Sequence, residues 1–292
     1  MKGIVLAGGL GTRLYPITKY LSKQSLPVYD KPMIYYPIST LALAGVREVL
    51  VISTPQHLSF YREILGDGSN FGMEFQFCEQ AAPKGIAEAF ILGADFIKQS
   101  ACALILGDNL FHGPAFGTES LKQMASLDTG AKIFAYRVSN PESYGVIEVD
   151  SEGEIRKLIE KPKTYRSNLA IPGLYFFDNQ VVSFAHSVKP SSRGELEIIT
   201  ILEEYHQNNQ LKYEILSRGN AWLDTGTFEG LHGASEYVRI IEQRQGHKIG
   251  CIEEISWRNK WISSEQLLQN AAQYKNSSYG EYLETLANQN YG

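Results

Sequence analysis

Short runs of apolar or alternating residues, each closed by glycine, proline or a polar position, recur along the first hundred residues. Ile4 to Ala7, Glu48 to Ser53, Glu74 to Cys78 and Ala103 to Leu106 are four such runs. Their length and bounding residues predict buried strands. Helical spacing separates them: Lys31 to Gly45, with Pro32 near its first turn, His57 to Leu65, and Gly85 to Ile97. Strand and helix alternate, which predicts βαβ units with right-handed crossovers and parallel strands. An α/β, doubly wound, mainly parallel, Rossmann-like sheet is therefore expected.

From about Asn140 the pattern changes. Tyr144 to Ile155 alternates on both sides of Asp150-Ser151-Glu152-Gly153 and predicts a hairpin, leading into Leu158-Ile159-Glu160-Lys161-Pro162. Ile171 to Phe177 predicts another buried strand, and Ser192 to Glu197 the start of a helix with acids in its first turn. A strand over Leu211 to Leu216 precedes Ala221 to Thr227, an acid-bearing turn before a helix. Helices are expected over Glu229 to Gln243, Ser263 to Tyr274 and Tyr279 to Asn288, with aromatics that suit packing on the body or on another subunit. No repeat or low-complexity linker interrupts the chain.

Composition narrows the class without deciding it. The 292 residues carry 27 Lys+Arg against 32 Asp+Glu, a net charge of -5, so no global basic field invites nucleic acid and any anion binding must be local. Cys78, Cys102 and Cys251 lie far apart without metal-ligand spacing and read as reduced thiols. No stretch reaches the roughly 18 apolar residues of a membrane span. A cytoplasmic protein without membrane or nucleic-acid partners is expected.

The candidate chemistry begins after the first strand, in Gly8-Gly9-Leu10-Gly11-Thr12-Arg13-Leu14. Glycine amides can converge on an anion and Arg13 adds a positive charge, the makings of a triphosphate grip; the same glycines could simply turn the chain. The loop is not a Walker A motif, since no Gly-Lys-Ser/Thr follows, and Leu14 occupies the place of the third glycine of a dinucleotide fingerprint. Ligands of such sheets gather beyond the carboxyl ends of the strands, which singles out Asp108 after Ala103 to Leu106, either as a Mg²⁺ ligand or as a turn cap. Asp224 is a second acid, a partner for Asp108 or a cap for the following helix. Gln80 offers a donor and an acceptor to a pyrimidine edge, and Gly85 would let a ring lie close, although Gln80 could equally be an ordinary loop residue. Glu160 and Lys161 could meet sugar hydroxyls and a phosphate if Pro162 bends the strand, or form a solvated pair.

Leu6 to Leu14, Ser22-Lys23-Gln24 and Pro27 to Pro37, followed by Leu106-Gly107-Asp108-Asn109, Tyr144-Gly145-Val146, Glu160-Lys161-Pro162, Gly173 to Phe176, Arg193 to Glu197 and Trp222 to Thr227, resemble the signature of the sugar-1-phosphate nucleotidylyltransferases. The resemblance covers essentially the whole chain and is strongest to the branch using dTTP and glucose 1-phosphate, whose reaction opens dTDP-rhamnose synthesis. It implies a core over 1–228, with a nucleotide-binding half to about 138 and a smaller β-rich sugar-binding half over 139–228. It also implies a helical extension over 229–292 and a homotetramer. By position it implies that Gly8, Gly9, Gly11, Thr12 and Arg13 hold the triphosphate and that Lys23 neutralises the α-phosphate. Gln24 would contact the nucleotide, Gln80 and Gly85 would recognise its thymine, and Tyr144, Gly145, Glu160 and Lys161 would bind the sugar phosphate. Asp108 and Asp224 would hold Mg²⁺, and Arg258 would sit at a regulatory position. The chain differs from the usual pattern at Ser25, at Lys84, where an acid is common, at Pro172, where threonine is common, and at Ile199-Thr200.

Overall fold

A computed structural model describes residues 1–117 and 119–288. The last four positions of the expected helical extension, 289–292, lie outside the described residues. In chain order the first half comprises β1 (Lys2–Ala7), β2 (Pro27–Val28), β3 (Lys31–Pro32), α1 (Tyr35–Leu43), β4 (Glu48–Ser53), α2 (Pro55–Leu65), β5 (Glu74–Glu79), α3 (Glu88–Leu92), α4 (Ala94–Ile97), β6 (Cys102–Leu106), β7 (Asn109–His112), α5 (Glu119–Ala125) and β8 (Ala131–Arg137). Then follow β9 (Gly145–Val149), β10 (Ile155–Glu160), β11 (Leu169–Ala170), β12 (Leu174–Phe177), α6 (Gln180–Ser187), α7 (Ile198–Gln207), β13 (Leu211–Ile215), β14 (Ala221–Asp224) and the helices α8 (Phe228–Gln245), α9 (Ile252–Arg258), α10 (Ser264–Gln273) and α11 (Ser278–Asn288).

The central sheet runs β10-β9-β11-β8-β12-β6-β1-β4-β5, with β13 added beside β8. β6, β1, β4 and β5 are mutually parallel. Beyond β6 the sheet turns mixed, because β12 enters antiparallel to both β6 and β8. Alternate residues of the parallel strands point into two separate cores: Val5, Val51 and Ile105 on one face with Ile38 and Leu41 of α1, and Ile4, Ile52 and Leu104 on the other with Phe90 and Ile97. A sheet covered on both faces needs apolar residues at odd and even positions alike, which is why β1, β4 and β6 appear as nearly continuous apolar runs, whereas the edge strand β5 alternates.

Four elements depart from the sequence expectation. The helix expected over 31–45 starts only at Tyr35: Met33 and Ile34 donate backbone N–H groups to Leu26 O and Gln24 O, and Lys31–Pro32 pairs with Pro27–Val28. The helix expected over 85–97 starts at Glu88 and breaks at Gly93, because Lys84 and Ala87 bond instead to Leu196 (Leu196 N to Lys84 O, 2.6 Å; Ala87 N to Leu196 O, 3.1 Å). The strand expected over 171–177 is split around Pro172, with Ile171 N donating to Gly145 O at 2.8 Å. Glu195 and Glu197 do not open a helix either. α7 starts at Ile198, and both acids pair with Arg193 in the loop before it.

Of the last four helices, α8 packs on β2 and β14, and the other three form a group beside α1. α9 packs on α1, Asn270 Nδ2 of α10 donates to Asn70 O at 2.7 Å, and Leu267, Leu283 and Leu286 form a satellite core with Cys251. Among the described residues no helix is long and apolar enough to cross a membrane. The three cysteines are free, Cys102 and Cys251 buried and Cys78 partly so.

Candidate active site

The site lies where the sheet changes direction, at the carboxyl ends of β1, β5 and β6, and faces the second half of the chain. After β1 the backbone runs through Gly8 and Gly9 to the single 3-10 turn Thr12–Leu14, which buries Leu14 and leaves Arg13 exposed at the mouth. Gly8 has a specific reason to lack a side chain, since a Cβ there would collide with the amide oxygen of Gln80. Further on, after a second 3-10 turn at Ile17–Lys19, the turn Lys23–Ser25 points the Lys23 ammonium at Asp108, with which it forms a short ion pair.

The two acids meet through a small antiparallel ladder. β7 pairs with β14 so that Asn109 lies opposite Asp224, and Thr225 donates both N–H and Oγ1–H to Asp108 O, at 3.1 and 2.8 Å. Burial pushes the Asp108 carboxyl up, but the Lys23 ammonium, together with hydrogen bonds from Asn109 and the backbone, outweighs this and holds it below the usual carboxylate range. Asp224 moves the other way. Burial and then the facing charge of Asp108 raise it, against the Gly226 N–H bond and the charges of Lys23 and Arg13. Asp224 does not cap α8; Thr227 does, accepting from Gly230 N at 3.0 Å. Two carboxylates facing each other with a shared cationic deficit suit a hard divalent ion that takes its remaining ligands from phosphate and water. Among the described residues no group of three or more His, Cys, Asp or Glu competes for such an ion.

The opposite wall comes from the hairpin. Lys161 has φ +41°, and this bend at the end of β10 brings Glu160 and Lys161 into the same cleft although neighbours on a straight strand diverge. Tyr144 and Gly145 line that cleft with Arg13, Asp108 and Asp224. Glu160 is raised chiefly by burial, and Arg193 Nη2 reaches it at 3.0 Å while holding Glu197 at 2.8 Å. Gln24 and Gln80 are both buried, one beside Lys23 and one beyond β5. Gly85 has φ +110°, and a Cβ there would strike the Leu196 backbone, so close chain packing is the reason for glycine at this position. Arg258 is not part of the cleft. It sits on α9, with Nε 2.8 Å from Glu254 Oε1.

Residues 2–239 match the model of the nucleotidyl transferase family. The chain belongs to that family. This nucleotidyl transferase is 53% identical over 283 residues to a glucose-1-phosphate thymidylyltransferase of Mycolicibacterium smegmatis, an alignment covering 97% of this chain and 98% of the relative. Among solved structures, a Bacillus anthracis protein in complex with sucrose superposes with a TM-score of 0.75 at 37% identity, covering 82% of this chain and 95% of the other. A UDP-glucose pyrophosphorylase complexed with UDP-glucose gives 0.71 at 27%, covering 82% and 98%.

Three residues of the nucleotidyl transferase's site were not singled out from sequence. Asn109 is buried and binds in three directions: Nδ2 donates to Asp108 Oδ1 at 3.0 Å, and Oδ1 accepts from Trp222 Nε1 at 2.6 Å and Gly173 N at 3.1 Å. Arg193 ties the loop before α7 to Glu160. Glu88 accepts from Gln80 Nε2 at 2.8 Å. Asn109 and Arg193 stand inside recurrent motifs and could have been found there. Glu88 carried no signal beyond lying one helical turn after Lys84.

Proposed function

We propose that this chain transfers a thymidylyl group from dTTP to glucose 1-phosphate, giving dTDP-glucose and pyrophosphate. The observation that carries the proposal is the 53% identity, over 97% of the chain, to the mycolicibacterial glucose-1-phosphate thymidylyltransferase. A cleft with cationic and acidic groups on one wall and sugar-binding chemistry on the other supports it.

In this reading Gly8, Gly9, Gly11, Thr12 and Arg13 hold the triphosphate, Gln24 contacts the nucleotide beside Lys23, Gln80 and Gly85 form the base end, and Tyr144, Gly145, Glu160 and Lys161 receive the sugar phosphate, with Lys161 on its charge. A phosphate oxygen of glucose 1-phosphate attacks the α-phosphorus as the bond from that phosphorus to the bridging oxygen breaks, and pyrophosphate leaves with the electron pair. The nucleophile is already an anion, so no protein base is required; positioning and charge neutralisation supply the rate. Lys23 neutralises charge at the α-phosphate, exchanging its contact with Asp108 for one with substrate. Asp108 and Asp224 are the ligands for Mg²⁺, which when bound screens the phosphate charges.

The resemblance extends the proposal to a cytoplasmic homotetramer, testable by light scattering, and to Arg258 as an effector contact, testable by end-product inhibition of Arg258→Ala. The deciding experiment is pyrophosphate release across four nucleoside triphosphates and several sugar 1-phosphates. The greatest kcat/KM is expected with dTTP and glucose 1-phosphate. Preference for UTP, the alternative suggested by the UDP-glucose-bound structural neighbour, would overturn the base assignment. Release with no pair would overturn the transferase reading altogether.

A further inference from the structure

We propose that Glu88 is a positioning residue that sets which pyrimidine the nucleotide site accepts, by fixing the orientation of the Gln80 amide. The inference rests on the reading of Gln80 as the base contact.

Gln80 is placed rigidly. Its backbone N–H donates to Ser53 O at 2.8 Å, the residue is 2% exposed, and its side-chain oxygen lies over Gly8, where a Cβ would collide with it. An amide can present either its oxygen, an acceptor, or its NH₂, a donor, and only its surroundings decide which. Here the decision falls to Glu88 Oε2, 2.8 Å from Gln80 Nε2. An ionised carboxylate only accepts, so the nitrogen must face it; a flipped amide would set oxygen against oxygen and lose a charge-assisted bond.

Glu88 is held in turn. Its side chain is 12% exposed, Oε2 also accepts from Lys84 N at 3.3 Å, and the Lys84 ammonium stands 3.8 Å from Oε1. The strip from Lys84 to Ala87 is pinned on both sides to Leu196. Lys84, where the family commonly has an acid, therefore supplies the charge that complements Glu88 rather than a contact to the base.

The free end of Gln80 is thus an acceptor. Thymine and uracil carry an N3–H donor that matches it, whereas N3 of cytosine is itself an acceptor and would meet it lone pair to lone pair.

The test compares kcat/KM for dTTP and dCTP, with glucose 1-phosphate and Mg²⁺, in the intact wild-type protein and in Glu88→Gln, Glu88→Leu and Gln80→Ala. Thermal unfolding of each variant accompanies the kinetics. Glu88→Gln can bond the Gln80 amide in either orientation, so the preference for dTTP over dCTP should narrow about tenfold, with the loss for dTTP in KM more than in kcat. A purely structural role would lower both rates together and leave the ratio unchanged. If Gln80→Ala narrows the ratio but neither Glu88 variant does, the inference is overturned while the base assignment stands. If no variant narrows it, Gln80 does not read the base and the assignment falls as well.

Discussion

At the scale of single residues the site is a set of charges whose environments pull them apart. Lys23 and Asp108 are paired, Asp224 faces Asp108 with too little positive charge nearby, and the two acids consequently move in opposite directions. Lys23→Ala should lower kcat by about 10²-fold or more, as expected for loss of a preorganised charge in the transition state, with a smaller change in nucleotide KM; steady-state pyrophosphate release checks this. Asn109 offers a second prediction. Asn109→Leu leaves Trp222 Nε1 and Gly173 N without their acceptor, so it should cost about 2–4 kcal/mol by urea unfolding, near the sum of two modest buried-donor penalties. These side chains were legible as residue types but not as partners. Glu160 and Lys161 could be read as neighbours on a strand, and only the left-handed backbone of Lys161 turns both into one cleft.

At the scale of elements, the inner parallel strands β1, β4 and β6 were the most legible part because burial on both faces writes apolar residues at odd and even positions alike. The failures share a physical cause. Helix starts at Tyr35, Glu88 and Ile198 are later than periodicity predicts because the preceding residues bond outside the helix: Met33 N–H donates to Leu26 O, Ala87 N–H to Leu196 O, and Glu197 accepts from the Arg193 guanidinium. α9 was missed as an element, and it carries a group with a pH signature. Glu253 is fully buried, with Oε2 accepting from Tyr279 O–H of α11 at 2.6 Å and Oε1 without a hydrogen-bond partner among the described residues. Burial raises its carboxyl above the usual glutamate range, against the hydrogen bonds it receives. The folded chain therefore holds this proton more tightly than the unfolded chain. The contribution favours folding below the ordinary value of 4.5 and is lost as pH rises through the raised value. Glu253→Gln removes the titration: its Tm relative to wild type should rise as pH increases from about 4 to 8. A constant difference across that range would refute the assignment.

At the scale of the whole molecule, the helical extension is tied to the catalytic loop by a buried charge cluster. Lys31 follows the loop that carries Lys23 and Gln24, and its ammonium lies 2.5 Å from Asp30 Oδ1 and 3.2 Å from Glu242 Oε1 of α8. Lys248 closes the ring, 2.9 Å from Glu242 Oε2 and in a short contact with Asp30. Glu242 also accepts from Ile249 N at 2.9 Å, and only 7% of it is exposed. Such a cluster stabilises little relative to an apolar replacement, but removing one member leaves the others buried and uncompensated. Glu242→Ala strips the partner from two ammonium groups and a backbone donor, so it should cost about 3–5 kcal/mol in urea unfolding. The same step should loosen the segment between Lys23 and α1, raising nucleotide KM severalfold while leaving sugar-phosphate KM nearly unchanged, because Glu160 and Lys161 are held by a separate hairpin. Equal losses for both substrates would mean that the extension acts through global stability and not through the loop.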